Sequence, residues 1–151
     1  MHKQLTSEID IAATPERVWQ ILTDLSGYHE WNPFVVAAQG RAETGCQLTL
    51  RMQPAEGRAV TLTPTVTDVV DARRLSWRGR FLVRGLFDAE HVFTLEAPPG
   101  GTTRLTQAER FSGVLVPLLA RSLDRGTLPA FHAMNAALRR RAEHAAVPER
   151  G

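Results

Sequence analysis

The chain has little cysteine, and it lacks a long apolar segment. It contains one cysteine, Cys46, among 151 residues, which excludes an internal disulfide and a thiolate metal cluster. No apolar run approaches the ~18 residues that a membrane-spanning helix requires, and the N-terminus has no charged-then-apolar signal segment. We therefore expect a cytoplasmic protein without stable membrane insertion.

Net charge is also small. Eighteen Lys and Arg residues stand against sixteen Asp and Glu residues, which gives a formal net charge of +2. The basic residues are scattered, and the three tryptophans are not interleaved with them, so the sequence does not predict binding to nucleic acid. The basic run at 139–141 is typical of a solvated helix end.

Familiar catalytic motifs are absent too. The sequence has no glycine-rich phosphate loop, no nucleophile elbow and no two histidines at a helical metal-ligand spacing. We therefore expect neither a cofactor nor a metal site.

The first 34 residues carry the clearest pattern. Apolar and polar residues alternate from 5 to 11, with Ser7 in the apolar phase, as in a half-buried strand. Thr14 then offers an N-cap oxygen, and Pro15 suits the first helical position. The helix that they predict has an apolar stripe at i, i+3, i+4 and i+7, formed by Val18, Ile21, Leu22 and Leu25.

The rest of the chain predicts strands followed by one helix. Strand candidates lie at 35–41, 46–53, 58–70, 73–83, 87–96 and 102–111, separated by hairpin-like turns. From 114 to about 145, apolar residues recur every three or four positions, which predicts a long amphipathic helix. Pro129 lies inside it and should disrupt the backbone near 126–129.

This order of elements resembles the START-like or Bet v 1-like (SRPBCC) superfamily, and specifically its bacterial polyketide cyclase/dehydrase and lipid-transport branch. The matching residues are the first strand, PERVWQILTD at 15–24, Tyr28 and WNPF at 31–34. The resemblance covers nearly the whole chain, so one domain over residues 1–151 is expected. It implies an α+β helix-grip fold, in which a seven-stranded curved antiparallel sheet wraps around a long C-terminal helix and two short helices follow the first strand.

Strand alternation predicts which side chains face that helix. The apolar inward residues are Leu48, Leu50, Met52, Val60, Leu62, Pro64, Val66, Leu75, Trp77, Gly79, Phe81, Phe93, Leu95, Leu105 and Phe111. Three polar residues, His91, Gln107 and Glu109, share this phase. They could orient the polar end of a ligand. Alternatively, His91 and Glu109 bond to each other, or pair with Arg78 or Arg80, simply to satisfy buried polarity.

The resemblance implies a cavity between sheet and helix that holds lipids, polyketides or other apolar molecules. We expect a hydrophobic small molecule as the partner of a monomer or weak homodimer. The predicted ligand-binding residues are Met52, Trp77, His91, Phe93, Gln107, Glu109, Leu119, Leu123, Phe131 and Met134. One alternative is a cyclase/aromatase-type enzyme, for which His91 and Glu109 are the candidate acid/base residues. The second alternative is a protein-interaction module.

Overall fold

The computed structural model describes residues 1–80, 83 and 85–144, so the predicted inward residue Phe81 lies outside the described residues. Strands and helices alternate along the chain only near its start. The elements are β1 (His2–Ile11), α1 (Pro15–Thr23), a 3₁₀-helix (Leu25–Glu30), β2 (Val35–Gln39), β3 (Thr49–Met52), β4 (Val60–Leu62), β5 (Thr65–Val70), β6 (Arg74–Arg80), β7 (Asp88–Glu96), β8 (Thr103–Ser112), α2 (Val116–Ser122), a π-helical turn (Leu123–Thr127) and α3 (Leu128–His144).

Helix α1 begins where the sequence predicts. Thr14 has an extended backbone, and its Oγ1 accepts a hydrogen bond of 3.2 Å from the N–H of Arg17. Pro15 is the first helical residue, where a missing N–H costs nothing. The apolar stripe of α1 is buried, and the 3₁₀-helix follows it directly. The two short helices after the first strand are thus confirmed.

The predicted fold is wrong in one detail: the described strands form two antiparallel sheets and not a single seven-stranded sheet. Their orders are β1-β8-β7-β6-β5 and β2-β3-β4. The segment 58–70, predicted as one strand, breaks at Thr63-Pro64 because proline has no N–H to give to a ladder. The carbonyl of Pro64 instead accepts a 2.8 Å bond from the N–H of Leu48. Main-chain hydrogen bonds between 45–48 and 64–66 therefore connect the two sheets.

Two residues before this break are exposed, although the sequence predicts that they face the core. Val60 and Leu62 are 48% and 36% exposed, whereas Pro64 and Val66, beyond the break, are buried. Strand β4 is an edge strand, and all three of its residues are exposed. Alternation predicts that these side chains share a face, but it does not reveal whether another layer covers that face.

The C-terminal helical region is disrupted at the predicted place. The π-helical turn ends just before Pro129, and the N–H of Leu128 bonds to the carbonyl of Leu123. The carbonyl of Gly126 accepts a 2.9 Å bond from the N–H of Ala55, in the loop after β3. A Cβ at Gly126 would lie 2.9 Å from the carbonyl oxygen of Glu56, so only glycine fits this approach without a shift.

Helix α3 covers the inner face of the large sheet. Its side chains Phe131, Met134 and Leu138 are fully buried and join the main apolar core. The helices described here include none with the length and apolar content to cross a membrane.

Candidate functional site

Strand register gathers the predicted polar residues in the interior. His91 on β7 lies opposite Trp77 on β6 and opposite Glu109 on β8. Gln107, two residues before Glu109, lies opposite Ser7 on β1. Because side chains two residues apart share a face of a strand, all of these point toward α3 with their apolar neighbours.

A polar chain of hydrogen bonds joins His91, Gln107, Asn135 and Ser7. His91 Nε2 lies 2.9 Å from Gln107 Oε1, and Gln107 Nε2 donates to Asn135 Oδ1 at 2.8 Å. Asn135 Nδ2 donates to Ser7 Oγ at 2.9 Å, and that hydroxyl is 3.5 Å from the main-chain carbonyl of Gln107. All four residues are buried. The polar chain therefore links α3 to three strands of the sheet.

The direction of these bonds assigns the proton on His91. Gln107 Oε1 can only accept, so His91 Nε2 must carry the hydrogen. The other ring nitrogen, Nδ1, makes no hydrogen bond among the described residues. It lies 3.6 Å from Glu109 Oε1, which is longer than a hydrogen bond. Glu109 is 8% exposed, more than any residue of the polar chain. The polar chain therefore ends at His91 Nδ1, which makes no hydrogen bond among the described residues and lies beside the carboxyl group of Glu109.

Aromatic rings surround the imidazole of His91. The ring of Trp77 stacks on it with a centroid distance of 5.4 Å, and the ring of Phe93 is tilted against it at 4.5 Å. Phe131 of α3 approaches edge-on at 5.1 Å. A few polar atoms within apolar walls are typical of small-molecule sites.

Nine of the ten predicted ligand-binding residues are buried. Leu119 is only partly buried, while Met52, Leu123 and Met134 belong to the main apolar core. Two surface clefts formed by described residues are lined by none of the ten. The cavity between sheet and helix stays a prediction.

Two members of the polar chain, Ser7 and Asn135, were not among the predicted site residues. The sequence indicates that Ser7 is buried, since it falls in the apolar phase of β1. The indication for Asn135 is weaker: it follows the buried Phe131 by four residues and so lies on the same face of the helix.

Arg78 and Tyr28 have partners elsewhere. Arg78 forms an ion pair with Glu90 at 3.2 Å. Among the residues predicted to pair with Glu109, His91 is the one that lies beside it. Tyr28 is buried beneath the surface, and its hydroxyl donates to the carbonyl of Leu22.

No group of three or more His, Cys, Asp or Glu side chains within the described ranges could hold a metal ion.

Comparison with known proteins adds a family and a fold. The family model described as "Polyketide cyclase / dehydrase and lipid transport" matches residues 2–143. No curated protein matches the chain.

Several solved structures share the fold. A START superfamily protein from Mycobacterium smegmatis is 17% identical, with a TM-score of 0.74 over 96% of this chain and 99% of that one. The Zhui aromatase/cyclase from a Streptomyces species is 18% identical, with a TM-score of 0.74 over 97% and 99%. A norcoclaurine synthase mutant from Thalictrum flavum, solved with a transition-state analogue, is 11% identical, with a TM-score of 0.75 over 97% and 98%. At these identities the likeness establishes the fold alone.

Proposed function

The chain belongs to the polyketide cyclase/dehydrase and lipid-transport family, and from this premise we propose that it binds an apolar small molecule between the large sheet and α3, with a polar group held at His91 and Glu109. The fold of this family generally binds hydrophobic ligands. The ligand that fits best is flat and apolar and carries a hydroxyl group.

The observation that carries this proposal is the unused Nδ1 atom of His91. A buried polar atom without a partner costs about 1–3 kcal/mol, and such atoms are rare in proteins. With the proton held on Nε2 by Gln107, neutral His91 presents a hydrogen-bond acceptor at Nδ1. An ionised Glu109 presents acceptors only. A ligand hydroxyl that donates to either group would offset the cost.

The aromatic surroundings support a flat ligand. Trp77, Phe93 and Phe131 border the imidazole, and aromatic rings favour offset-stacked or edge-on contacts with other rings. The hydroxyl would reach the polar end of the site, and the ring system would replace apolar contacts within the core.

A second candidate function is catalysis of the cyclase/aromatase type. It is favoured by the His91–Glu109 pair, since an imidazole held by a hydrogen-bonded amide and facing a carboxyl group has the arrangement of a general base. In this function Nδ1 takes a proton from an acidic carbon of a poly-ketone chain. Tyr28 supplies no second acid, because its hydroxyl proton is bonded to Leu22.

The binding test compares 2-naphthol with naphthalene, which lacks the hydroxyl, by quenching of tryptophan fluorescence. We expect the parent protein to prefer 2-naphthol by about tenfold, the equivalent of one buried hydrogen bond. Glu109→Gln and His91→Gln should each reduce that preference. Glu90→Gln is the matched control, because Glu90 lies on the same strand as His91 but pairs with Arg78. Equal binding of the two compounds, or no binding of either, would contradict the proposal.

Turnover separates the two candidates. The parent and both site variants are incubated with a poly-ketone thioester, and cyclised products are measured by mass spectrometry. An enzyme should lose turnover by about 10²–10⁴-fold in Glu109→Gln or His91→Gln, the usual contribution of a general acid or base. A binding protein should form no product even as the parent. We expect the second result.

A further inference from the structure

A surface cleft lies where α1, the 3₁₀-helix and the C-terminal part of α3 meet. Its volume is about 420 Å³, within the range of small-molecule sites. The residues that line it are Arg17, Gln20, Ile21, Asp24, Gly27, Trp31 and Arg141. It shares no residue with the polar chain or with Glu109, so it is separate from the interior site.

Arg17 contributes a guanidinium group that makes a single, weak hydrogen bond among the described residues. It forms no ion pair with the part of the chain that the structure describes. Its Nε atom is buried and makes no hydrogen bond there, and its Nη1 makes only a long contact of 3.5 Å with Gln20 Oε1. Only this atom is buried, since the Arg17 side chain as a whole is partly exposed and lines the cleft. An acceptor from outside the chain can therefore reach the guanidinium group from the cleft.

Arg141 supplies a second guanidinium group to the same cleft. Its Nη2 pairs with Glu30 Oε1 at 2.6 Å, and the two side chains are 40% and 50% exposed. Exposed ion pairs of this kind contribute little to stability. A competing anion can therefore take over Arg141 at small cost.

The other residues that line the cleft indicate which further groups a ligand would contact. Asp24 is the one carboxylate among them, and its Oδ1 already accepts a 3.1 Å bond from Ser26 Oγ. Two guanidinium groups and one carboxylate line the cleft, and the Glu30 carboxylate that pairs with Arg141 is not among the lining residues, so an anion that displaces Glu30 would restore the charge balance. Ile21 and Trp31 add apolar surface to the wall.

We propose that this cleft binds a small organic oxyanion, in which a carboxylate or phosphate group lies between Arg17 and Arg141 and an apolar ring contacts Trp31. Arginine suits both groups, because its planar fork of donors matches the spacing of their oxygens. Since Arg17 belongs to α1 and Arg141 to α3, the bound anion would join these two helices.

The test uses three probes that share a phenyl ring: phenyl phosphate, benzoate and the neutral benzyl alcohol. Each is titrated at low ionic strength while ¹H–¹⁵N NMR follows the Nε–H of Arg17 and the indole N–H of Trp31. We expect one or both anions to shift these two signals in a saturable way, and benzyl alcohol to leave them in place. The anion that binds more tightly identifies the preferred oxyanion. No saturable shift at Arg17 with either anion would overturn the proposal.

Variants then test Arg141 and its ion pair with Glu30. Arg141→Gln should weaken anion binding about tenfold or more, the usual effect of losing a charge-assisted hydrogen bond. Glu30→Gln should tighten binding by about twofold or more, because it removes the carboxylate that competes for Arg141. Arg140→Gln is the matched control, since Arg140 is exposed on the same helix and does not line the cleft. An equal loss in Arg140→Gln and Arg141→Gln would also overturn the proposal.

The interior variant Glu109→Gln keeps this proposal distinct from the proposed function. It should leave anion binding unchanged, whether or not the protein also binds 2-naphthol. A loss of anion binding in Glu109→Gln would contradict the separation of the two sites.

Discussion

Tyr28, the only tyrosine of the chain, provides a direct test of how the N-terminal helices are held against the core. Its side chain is fully buried, and its hydroxyl donates to the carbonyl of Leu22. That carbonyl lies in the last turn of α1, where main-chain acceptors have no helical partner. Burial, with a smaller effect of the Asp24 carboxylate, raises the pKa of Tyr28 well above its usual range.

The raised pKa makes the free energy of unfolding depend on pH. Tyrosine in an unfolded chain titrates near pH 10, whereas the folded protein holds the Tyr28 proton more tightly. The stabilisation from this difference is complete below about pH 10 and is lost as the pH rises further. One proton gives a slope of about 1.4 kcal/mol per pH unit in that window.

The substitution Tyr28→Phe tests both parts of this reasoning. At pH 7 it should lower the free energy of unfolding in urea by about 1–3 kcal/mol, because the carbonyl of Leu22 loses its partner in a buried place. Above about pH 10 the difference between parent and variant should shrink, because the variant has no phenol to titrate.

Phenolate absorbance in the parent reports on Tyr28 alone, and it should appear only together with unfolding as seen by circular dichroism. Phenolate that forms near pH 10 while the protein stays folded would refute the argument.

Two further substitutions test local packing. Thr14→Ala should lower the free energy of unfolding by about 1 kcal/mol, because the first turn of α1 loses its cap, whereas the same change at the exposed Thr44 should have little effect in the same urea titration. Gly126→Ala should cost about 1–3 kcal/mol, because the added methyl would meet the carbonyl of Glu56. Gly79→Ala is its control, since a Cβ there meets only ordinary contacts, and equal losses in Gly79→Ala and Gly126→Ala would contradict the argument.

The inward face of β6 to β8 could be predicted from the sequence because α3 covers it. Alternation there placed Trp77, His91, Phe93, Gln107 and Glu109 on the correct side of the sheet. The same reasoning failed at β4, where apolar residues also alternate but all three residues of the strand are exposed. Pattern alone describes one chain segment, and burial depends on a second one.

The polar chain and the surface cleft could not be predicted for a related reason. Ser7 and Asn135 are 128 positions apart, and their contact depends on how α3 is rotated over β1. The cleft likewise depends on how α1 and α3 are placed, because Arg17 and Arg141 line it from two different helices. The apolar stripe of α3 predicts its buried side to within a residue or so, but hydrogen-bond partners change with every such step.

Asn135 gives α3 a fixed position on the sheet. Apolar side chains such as Met134 pack acceptably in many arrangements, whereas Asn135 satisfies its amide only where Gln107 and Ser7 lie opposite it. Sliding the helix by one residue would bury these groups without partners, at about 1–3 kcal/mol each. The same position sets Arg141, which is about 9 Å further along the helix, beside α1. The interior polar chain thus fixes the geometry of the surface cleft, although the two sites share no residue.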